Sequence, residues 1–244
     1  MSARRPTDTP LTMVITGANR GIGLALAEEA VKRGHIVWAT ARQPQQATLQ
    51  QLKASCPDHL QLARLEITDA ASISELAELL REKGIAVDVL INNAAVFPEE
   101  GDESFLEIDP AHFTTAFQVN VVGTLLVTRG LWASLLKASA PRVVNVSSGA
   151  GSISAKEDSA YLAYATSKAA LNMLTRAMAA EARGAKVTVV ALSPGWVRTD
   201  MGGPHAPLEP RESARSILDA VENLSLRETG QFLDRFGSPH DLNW

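Results

Sequence analysis

The sequence predicts an α/β fold, a doubly wound parallel sheet of about seven strands with helices on both faces in a single domain. Short runs of apolar and β-branched residues alternate along the chain with longer segments of helical periodicity. A glycine-rich turn joins the first predicted strand to the first predicted helix, and no repeat, linker or low-complexity tract divides residues 11–244. Such sheets bind ligands at the carboxyl ends of their strands, so the residues that follow each strand are the candidate site.

The predicted elements follow from this alternation. Strands are expected at residues 13–16, 36–41, 60–67, 87–92, 142–147, 186–192 and 231–234. Helices are expected from Leu24 onward, from Gln43 to before Pro57, and over residues 71–83, 112–138, 159–183 and 212–223. Residues 1–10 are polar, contain two prolines and are expected to form a flexible tail.

Composition excludes several classes of function. The formal net charge of −4 gives no electrostatic reason to expect a nucleic-acid partner. The single cysteine, Cys56, cannot form an internal disulfide and is typical of a reducing compartment. No cluster of Cys and His has metal-ligand spacing, so no metal is expected. No segment resembles a membrane span or a targeting signal, so a cytoplasmic location is expected.

The glycine turn (residues 17–23) directly follows the first predicted strand and precedes a helix. Glycine lets the backbone turn sharply and approach a pyrophosphate, whose charge the free N–H groups of a helix start attract. The spacing G-x-x-x-G-x-G differs from G-x-G-x-x-G, and no Gly-Lys-Ser/Thr follows as in a Walker loop. An ordinary strand-to-helix turn with chance glycines is the alternative. The candidate cofactor-binding residues here are Gly17, Asn19, Arg20, Gly21, Ile22 and Gly23.

The end of the second strand indicates which dinucleotide binds. An NAD site usually offers a carboxylate there to bind the ribose 2′-hydroxyl, but this strand ends in Thr40-Ala41-Arg42. Arg42 could bind a 2′-phosphate bidentately, and Arg20 could add a second positive charge. Two solvated surface arginines are the alternative. The missing acid and the two arginines together favour NADP(H), with NAD(H) still possible.

A tyrosine and a lysine follow the fifth strand. That strand ends at Ser147-Ser148, and the next helix carries Tyr164 and Lys168, whose i, i+4 spacing places phenol and ammonium on one helix face. A chance solvated pair is the alternative, which the serine pair and the upstream glycine turn disfavour. Tyr161 is a rival phenol, but the residue four positions later is an alanine.

Six motifs in order carry a family resemblance: TGANRGIG, NNAA, Asn120, VSS, YATSK and SPGWVRTDM. Together they resemble the single-domain short-chain dehydrogenases/reductases, from residue 11 to about residue 201. The segments ANRGIGLA, PGWVRTDMGG and GQFLDRFGSPHDLNW are most similar to sequences of the sniffer and C-factor group of carbonyl reductases. The resemblance implies a Rossmann-type fold and an NAD(P)(H)-dependent oxidoreductase, here one that reduces a small apolar ketone or aldehyde or oxidises the alcohol.

The resemblance also implies the catalytic roles. Tyr164 would be the general acid in reduction and the base in oxidation. Lys168 would lower the pKa of the phenol and bind the nicotinamide ribose. Ser148 would hydrogen-bond the substrate oxygen as it gains charge, and Asn120 would hold a water that leads protons to Lys168. Tyr164 stands 16 positions after Ser148, an interval longer than is usual in the family, so residues 156–159 are expected to bulge outward.

Further cofactor contacts are implied by motif. Glu66-Ile67 stands where the family has Asp-Val beside the adenine, and Ala95 replaces the glycine of NNAG, which crowds the backbone there. The implied contacts are Glu66, Ile67, Asn93, Ala94, Ala95, Pro194, Gly195, Val197 and Thr199, together with Tyr164 and Lys168. The residues that could line an apolar substrate pocket, or could equally be loop packing, are Phe97, Ile153, Tyr161, Trp196 and Met201.

Other functions and the assembly state remain to be weighed. A cofactor-binding signalling protein of the C-factor type, with little turnover, is the main alternative, although a pure binder has no need of Ser148, Tyr164 and Lys168 together. A sugar-nucleotide epimerase would need a larger substrate domain. The two long predicted helices, 112–138 and 159–183, carry apolar residues beyond a single stripe, so a homodimer or homotetramer is expected.

Overall fold

In the computed structural model, which describes residues 9–99, 104–242 and 244, the chain forms one parallel sheet of seven strands. The predicted tail lies outside the described residues at positions 1–8. The strands run in the order β3-β2-β1-β4-β5-β6-β7, and the predicted fold class is confirmed. Their bounds are β1 (Thr12–Thr16), β2 (Ile36–Ala41), β3 (Leu60–Arg64), β4 (Val89–Asn92), β5 (Arg142–Val146), β6 (Thr188–Leu192) and β7 (Phe232–Leu233).

Helices cover both faces of this sheet. They are α1 (Gly21–Lys32), α2 (Ala47–Ser55), α3 (Ala70–Glu82), α4 (Pro110–Phe117), α5 (Thr124–Gly130), α6 (Trp132–Leu135), α7 (Leu162–Ala182) and α8 (Pro210–Asn223). Successive strand residues face opposite sides, so Met13 and Ile15 join one apolar core with α1 and α8, while Val14 joins the other with α3 and α5. Within the described residues we find no helix with the length and apolar character needed to cross a bilayer.

The prediction of one continuous helix over residues 112–138 is wrong. A π-helical turn (Gln118–Gly123) separates α4 from α5, and a second break at Leu131 separates α5 from α6. The π turn contains Asn120, whose side chain bonds both the N–H and the C=O of Val96, at 2.8 and 3.0 Å. Such turns often occur at functional sites, because they redirect one residue inside a regular helix.

Several element boundaries also differ from the prediction, and two of the differences have a clear cause. Helix α7 begins at Leu162 rather than at 159, because Tyr161 before it has a left-handed backbone with φ +56°. Strand β3 ends at Arg64 rather than at 67, because the N–H of Glu66 turns to the Ser72 hydroxyl at 2.9 Å. The carboxyl ends of β1 and β4 are neighbours at the point where the strand order reverses, which is the place where doubly wound sheets bind ligands.

Candidate active site

The glycine turn is closely packed on the residues that follow β4. A Cβ at Gly23 would lie 2.3 Å from the Gly17 carbonyl oxygen and 2.5 Å from Asn93 Nδ2, so a side chain has no room there. Asn93 Nδ2 donates to the carbonyls of Thr16 and Gly17, at 2.9 and 3.2 Å. The Thr16 hydroxyl accepts from the N–H groups of Asn93 and Ala94, both at 3.0 Å. The structure therefore brings these predicted cofactor residues together, with Ala95 half-buried beside them.

This turn fits a dinucleotide pyrophosphate. Gly17 and Gly21 have φ values of +65° and +54°, a conformation that favours glycine. Helix α1, all of whose residues are described, starts without a side-chain cap and without an acidic residue in its first turn. Its first N–H groups are thus left for an anion. Ile22 lies half-buried in that turn, and Asn19 Nδ2 donates to Gln46 Oε1 at 2.8 Å.

The two predicted phosphate-binding arginines both lie at the surface, each facing an acid. Arg20 Nη1 is 2.8 Å from Asp200 Oδ2, an acid on the loop after β6 that sequence reasoning missed. Arg42 Nε is 4.0 Å from Glu66 Oε2, with the Arg42 side chain 79% exposed. Glu66 also accepts from the Thr68 hydroxyl at 3.0 Å, so its carboxylate stabilises the turn that follows β3.

The loop after β6 reaches the glycine turn. A Cβ at Gly21 would lie 3.3 Å from Thr199 Cγ2. Gly195 has φ +82°, and a side chain there would meet Leu208, which forms a β-bridge with Val197. The Pro194 carbonyl accepts from the Ser213 hydroxyl at 2.7 Å. The loop predicted to contact nicotinamide therefore faces the turn predicted to bind pyrophosphate.

Ser148, Tyr164 and Lys168 meet at the end of β5. The Ser148 hydroxyl lies close enough to the Tyr164 phenol to lower the pKa of that phenol, and it accepts from the N–H of Ala150 at 3.1 Å. Lys168 Nζ donates to the Val146 carbonyl at 2.9 Å and lies 5.5 Å from the centroid of the Tyr164 ring. Ser147 is buried and donates to Asn172 Oδ1 at 2.6 Å, so the second serine is the one that faces the phenol.

Burial sets the protonation states of this pair. Burial raises the pKa of Tyr164 to about 12, although the residue keeps some exposed surface. The nearby Ser148 hydroxyl opposes the rise, and the charge of Glu99 adds to it. Burial likewise lowers the pKa of Lys168 to about 8. In this arrangement burial has the largest effect on the phenol pKa, and the lowering expected from Lys168, which lies 5.5 Å from the ring centroid, stays a prediction. At neutral pH the phenol is protonated, as an acid catalyst needs.

Asn120 lies within the π turn, and Ile67 packs against the end of that turn at Gly123. Besides its bonds to Val96, Asn120 Nδ2 donates to Ser167 Oγ on α7 at 3.0 Å, one residue before Lys168. The Asn120 carbonyl accepts from the Thr124 hydroxyl at 3.0 Å. Ile67 is buried against Gly123, where a Cβ would lie 2.9 Å from its side chain. Asn120 therefore ties the β4 loop to the helix of Tyr164 rather than contacting Lys168 with its side chain.

The long interval between Ser148 and Tyr164 is accommodated as predicted, by an outward bulge. Residues 153–159 are exposed, while a 3₁₀ turn at Gly149–Gly151 keeps Ser148 in place. The hydroxyls of Ser152 and Ser154 both donate to the carbonyl of Leu242, at 2.6 Å each. The segment after β7 thus fastens the loop beside the candidate catalytic serine, a contact that the sequence did not indicate.

Comparison with known proteins identifies the family. The family model described as short chain dehydrogenase matches residues 11–208. The chain belongs to the short-chain dehydrogenase family. It is 40% identical to the C-signal protein of Myxococcus xanthus over 62% of this chain and 90% of that protein.

Solved structures of this family share the fold over nearly the whole chain. Carbonyl reductase Sniffer of D. melanogaster superposes with a TM-score of 0.90 at 26% identity, covering 97% of this chain and all of that one. The NADPH-bound carbonyl reductase from chicken fatty liver has a TM-score of 0.89 at 32% identity, covering 98% of this chain and 96% of that one. The predicted similarity to the sniffer and C-factor group is therefore confirmed.

The apolar side chains expected to line a substrate pocket of this short-chain dehydrogenase divide into two groups. The Phe97 ring lies 5.1 Å from that of Tyr164 and 5.2 Å from that of Tyr161, between centroids. Ile153, Trp196 and Met201 are exposed on the loops after β5 and β6. Phe97 is thus the candidate in direct contact with the phenol.

In the described ranges, which lack 100–103, no group of three or more His, Cys, Asp or Glu could hold a metal ion.

Glu99 is a site residue that sequence reasoning missed. Its carboxylate is buried and accepts from the N–H groups of Ala163 and Tyr164, at 2.6 and 3.1 Å to Oε1. The loop that carries it showed only acidic residues and prolines, a pattern typical of a solvated segment. No spacing signal connects a residue there with a helix that starts more than sixty positions later.

Proposed function

We propose that this short-chain dehydrogenase is an NADPH-dependent carbonyl reductase that reduces small apolar ketones or aldehydes, and reversibly oxidises the alcohols, at Ser148, Tyr164, Lys168 and Asn120. The observation that carries the proposal is that Ser148 lies beside the Tyr164 phenol and Lys168 Nζ lies 5.5 Å from its ring centroid, at the sheet edge that also holds the glycine turn. A cofactor-binding protein without chemistry needs the turn but has no use for this trio.

The protonated phenol is the acid of the proposed reaction. A substrate carbonyl oxygen would accept hydrogen bonds from Ser148 and Tyr164, which stabilise the negative charge that grows on it. A bound NADPH would supply the hydride that the carbonyl carbon receives. Tyr164 gives its proton to the oxygen, and the phenolate left behind is stabilised by Lys168, which can return a proton. Asn120 would hold the water through which Lys168 is recharged.

The cofactor preference is proposed to be NADP(H), with NAD(H) possible. Arg42 directly follows β2, which offers no carboxylate of its own for a ribose hydroxyl, and Arg20 lies in the glycine turn. Support comes from the chicken carbonyl reductase, which was solved with NADPH. Residues 17–23, 93–95 and 194–199, with Ile67, Tyr164 and Lys168, would hold the rest of the dinucleotide.

The exposed apolar residues of the helices support the predicted assembly of this chain with further copies of itself. Val122, Leu125 and Leu136, on the π turn, α5 and the end of α6, are between 37% and 49% exposed, as expected of a face that pairs with a second copy. We propose a homodimer or homotetramer; a light-scattering mass near the 26.1 kDa of one chain would contradict it. A cytoplasmic location and a small-molecule substrate, without nucleic acid or membrane, stay predictions.

The test is turnover of a panel of aliphatic, aromatic and cyclic ketones and aldehydes with NADPH. Tyr164→Phe should lower kcat by about 10²- to 10⁴-fold, because it removes the general acid, while NADPH affinity stays within a few-fold. Tyr161→Phe is the matched control and should keep kcat within a few-fold. A Tyr164→Phe enzyme as fast as the parent would show that the acid is assigned to the wrong residue.

A signalling role is the second candidate. It is favoured by the 40% identity to the C-signal protein, which extends over 90% of that protein. It predicts tight NADPH binding with no turnover of any compound in the panel. That outcome would replace the reductase proposal.

A further inference from the structure

Glu99 connects the loop after β4 to the helix that carries the candidate acid. The residue is only 5% exposed, and both of its short bonds, to the N–H groups of Ala163 and Tyr164, use the same oxygen, Oε1. Oε2 lies 3.3 Å from the N–H of Tyr164. A buried carboxylate is costly unless it is hydrogen-bonded, so this contact holds both partners in a defined position.

Helix α7 needs such a contact because its own start does not supply one. Tyr161 occupies the N-cap position with φ +56° and makes no side-chain hydrogen bond to the first turn. Serine, threonine, aspartate or asparagine usually accepts these N–H groups at a helix start. Here the acceptor is a glutamate 65 positions before Tyr164 in the chain. Its negative charge is also favourable at a helix N-terminus.

The contact extends along the loop that carries Glu99. Two residues earlier the Phe97 ring packs against the rings of both Tyr161 and Tyr164. One residue before that, the Val96 backbone is bonded on both sides by Asn120. Phe97 and Glu99 therefore fix the first turn of α7 by ring and carboxylate contacts, and Asn120 holds their loop through the Val96 backbone.

We propose that Glu99 is a positioning residue for Tyr164, one that closes the first turn of α7 from outside the helix and so fixes the backbone on which the phenol stands. The inference rests on the proposed reductase function and deepens it. Among the described residues, the charged and polar groups that face the phenol are Glu99 from the β4 loop, Ser148 from the β5 loop and Lys168 from α7 itself. Of these, Glu99 alone carries negative charge, so it disfavours the phenolate and keeps Tyr164 in the acid form used for reduction.

The first experiment reads the phenol without any substrate. The chain has two tyrosines, so in a Tyr161→Phe background 3-fluorotyrosine labels position 164 alone, and fluorine brings its ionisation into an accessible pH range. Glu99→Gln keeps the single oxygen that accepts both N–H groups but removes the charge. We expect the ¹⁹F titration midpoint to move to lower pH, by on the order of one unit. An unchanged midpoint would overturn the electrostatic part of the inference.

The second experiment separates positioning from mere stability. Glu99→Ala should lower kcat by about 10- to 100-fold with the KM for NADPH unchanged, since small displacements of a catalytic group are costly. Glu99→Gln should restore kcat to within a few-fold. Asp109→Ala is the control, because Asp109 likewise accepts from a first-turn N–H group, that of Ala111 in α4 at 2.8 Å, away from the phenol. It should lower the melting temperature without changing kcat or the titration.

The outcomes distinguish the two proposals. If Glu99→Ala and Asp109→Ala lose the same stability and neither changes kcat, Glu99 is only a helix cap and the inference is refuted. Should Glu99→Ala fail to fold, Glu99→Gln still decides the question through the ¹⁹F midpoint and the pH at which alcohol oxidation begins. A shifted midpoint in a chain that reduces no carbonyl compound would refute the reductase proposal and leave the Glu99 contact established.

Discussion

At the amino-terminal edge of the sheet Arg33, His35 and Glu222 meet as polar partners, whereas at the carboxyl edge Lys168 is buried beside a backbone carbonyl. Glu222 Oε1 lies 2.9 Å from Arg33 Nη1 and 3.0 Å from His35 Nε2. Lys168 has its 2.9 Å bond to the Val146 carbonyl, and no acid forms an ion pair with it among the described residues. Both edges bury charge, but only the first surrounds it with opposite charge.

The pKa directions show what this difference does. Burial alone would raise the pKa of Glu222, yet its hydrogen bonds to His35 and Arg33 lower it overall. Burial would lower the pKa of Arg33, but Glu222 and Glu29 raise it. For Lys168 burial acts unopposed and lowers the pKa to about 8. The amino-terminal edge thus contributes stability, whereas at the carboxyl edge burial of the Lys168 charge costs some.

Lys168→Met should give the largest change, a kcat lower by at least about 10²-fold, with a melting temperature equal to or above the parent's. Methionine has similar volume and no charge to desolvate. The matched comparison is Tyr164→Phe, which should also lose turnover but gain no stability. A strongly destabilised Lys168→Met protein would show that burial of the Lys168 charge does not reduce the stability of the parent.

The pH dependence of stability follows from the same shift. Lys168 has a pKa of about 8 when folded against 10.5 when unfolded, so between these values the unfolded chain binds more protons and stability rises with pH. The rise is about 3 kcal/mol at most. Above pH 10 Tyr164 acts oppositely, because its phenol ionises first in the unfolded chain. Urea unfolding from pH 7 to 10 should show the rise in the parent and not in Lys168→Met.

Glu222→Ala should act on the other edge, lowering the free energy of unfolding by about 3 kcal/mol while kcat per folded molecule is unchanged. The loss arises because Arg33, with 17% of its side chain exposed, is left without its buried partner. Asp219→Ala is the control: Asp219 pairs with the same guanidinium at 2.8 Å, but its side chain is 64% exposed. It should cost less than about 0.5 kcal/mol. Equal losses would remove the distinction between buried and exposed partners.

Most of the sheet could be predicted because each strand is a short apolar run between breakers, and β2 has the predicted bounds. The π turn could not be predicted, since it depends on Asn120 bonding the Val96 backbone across the fold. The trio of Ser148, Tyr164 and Lys168 could be placed by motif. The phenol pKa could not, because it depends on burial and on Glu99, neither of which leaves a local signal.

Arg42→Ala tests the cofactor half of the carboxyl edge. Loss of one charge-assisted contact to a 2′-phosphate costs about 1.5 to 3 kcal/mol, so NADPH should bind roughly 10- to 150-fold more weakly. NADH affinity, measured by the same fluorescence titration, should hardly change. Equal loss for both cofactors would show that Arg42 does not read the phosphate.

Asp200→Asn should give the smallest effect. The pair of Asp200 with Arg20 is 2.8 Å long, but both side chains are more than two-thirds exposed, so its loss should change stability by less than about 1 kcal/mol. Freed from its acid, Arg20 should strengthen NADPH binding by a few-fold and leave NADH unchanged. Weaker NADPH binding would mean that the Asp200–Arg20 ion pair holds Arg20 in the position that binds NADPH. This exposed ion pair would then have a structural role, as the buried Glu222–Arg33 pair has at the other edge.

The hydroxyls of Ser152 and Ser154, which both donate to the Leu242 carbonyl, connect two loops that are far apart in the sequence. Ser152 and Ser154 lie in the lengthened interval between Ser148 and Tyr164, so the added residues are held in place by chain from beyond β7. A longer loop at this place would therefore depend on contacts with the residues that follow β7. Among descendants of a common ancestor, the length of this interval and the residues near 240–244 should be inherited together, and a chimera that exchanges only one of them should lose activity before it loses its fold.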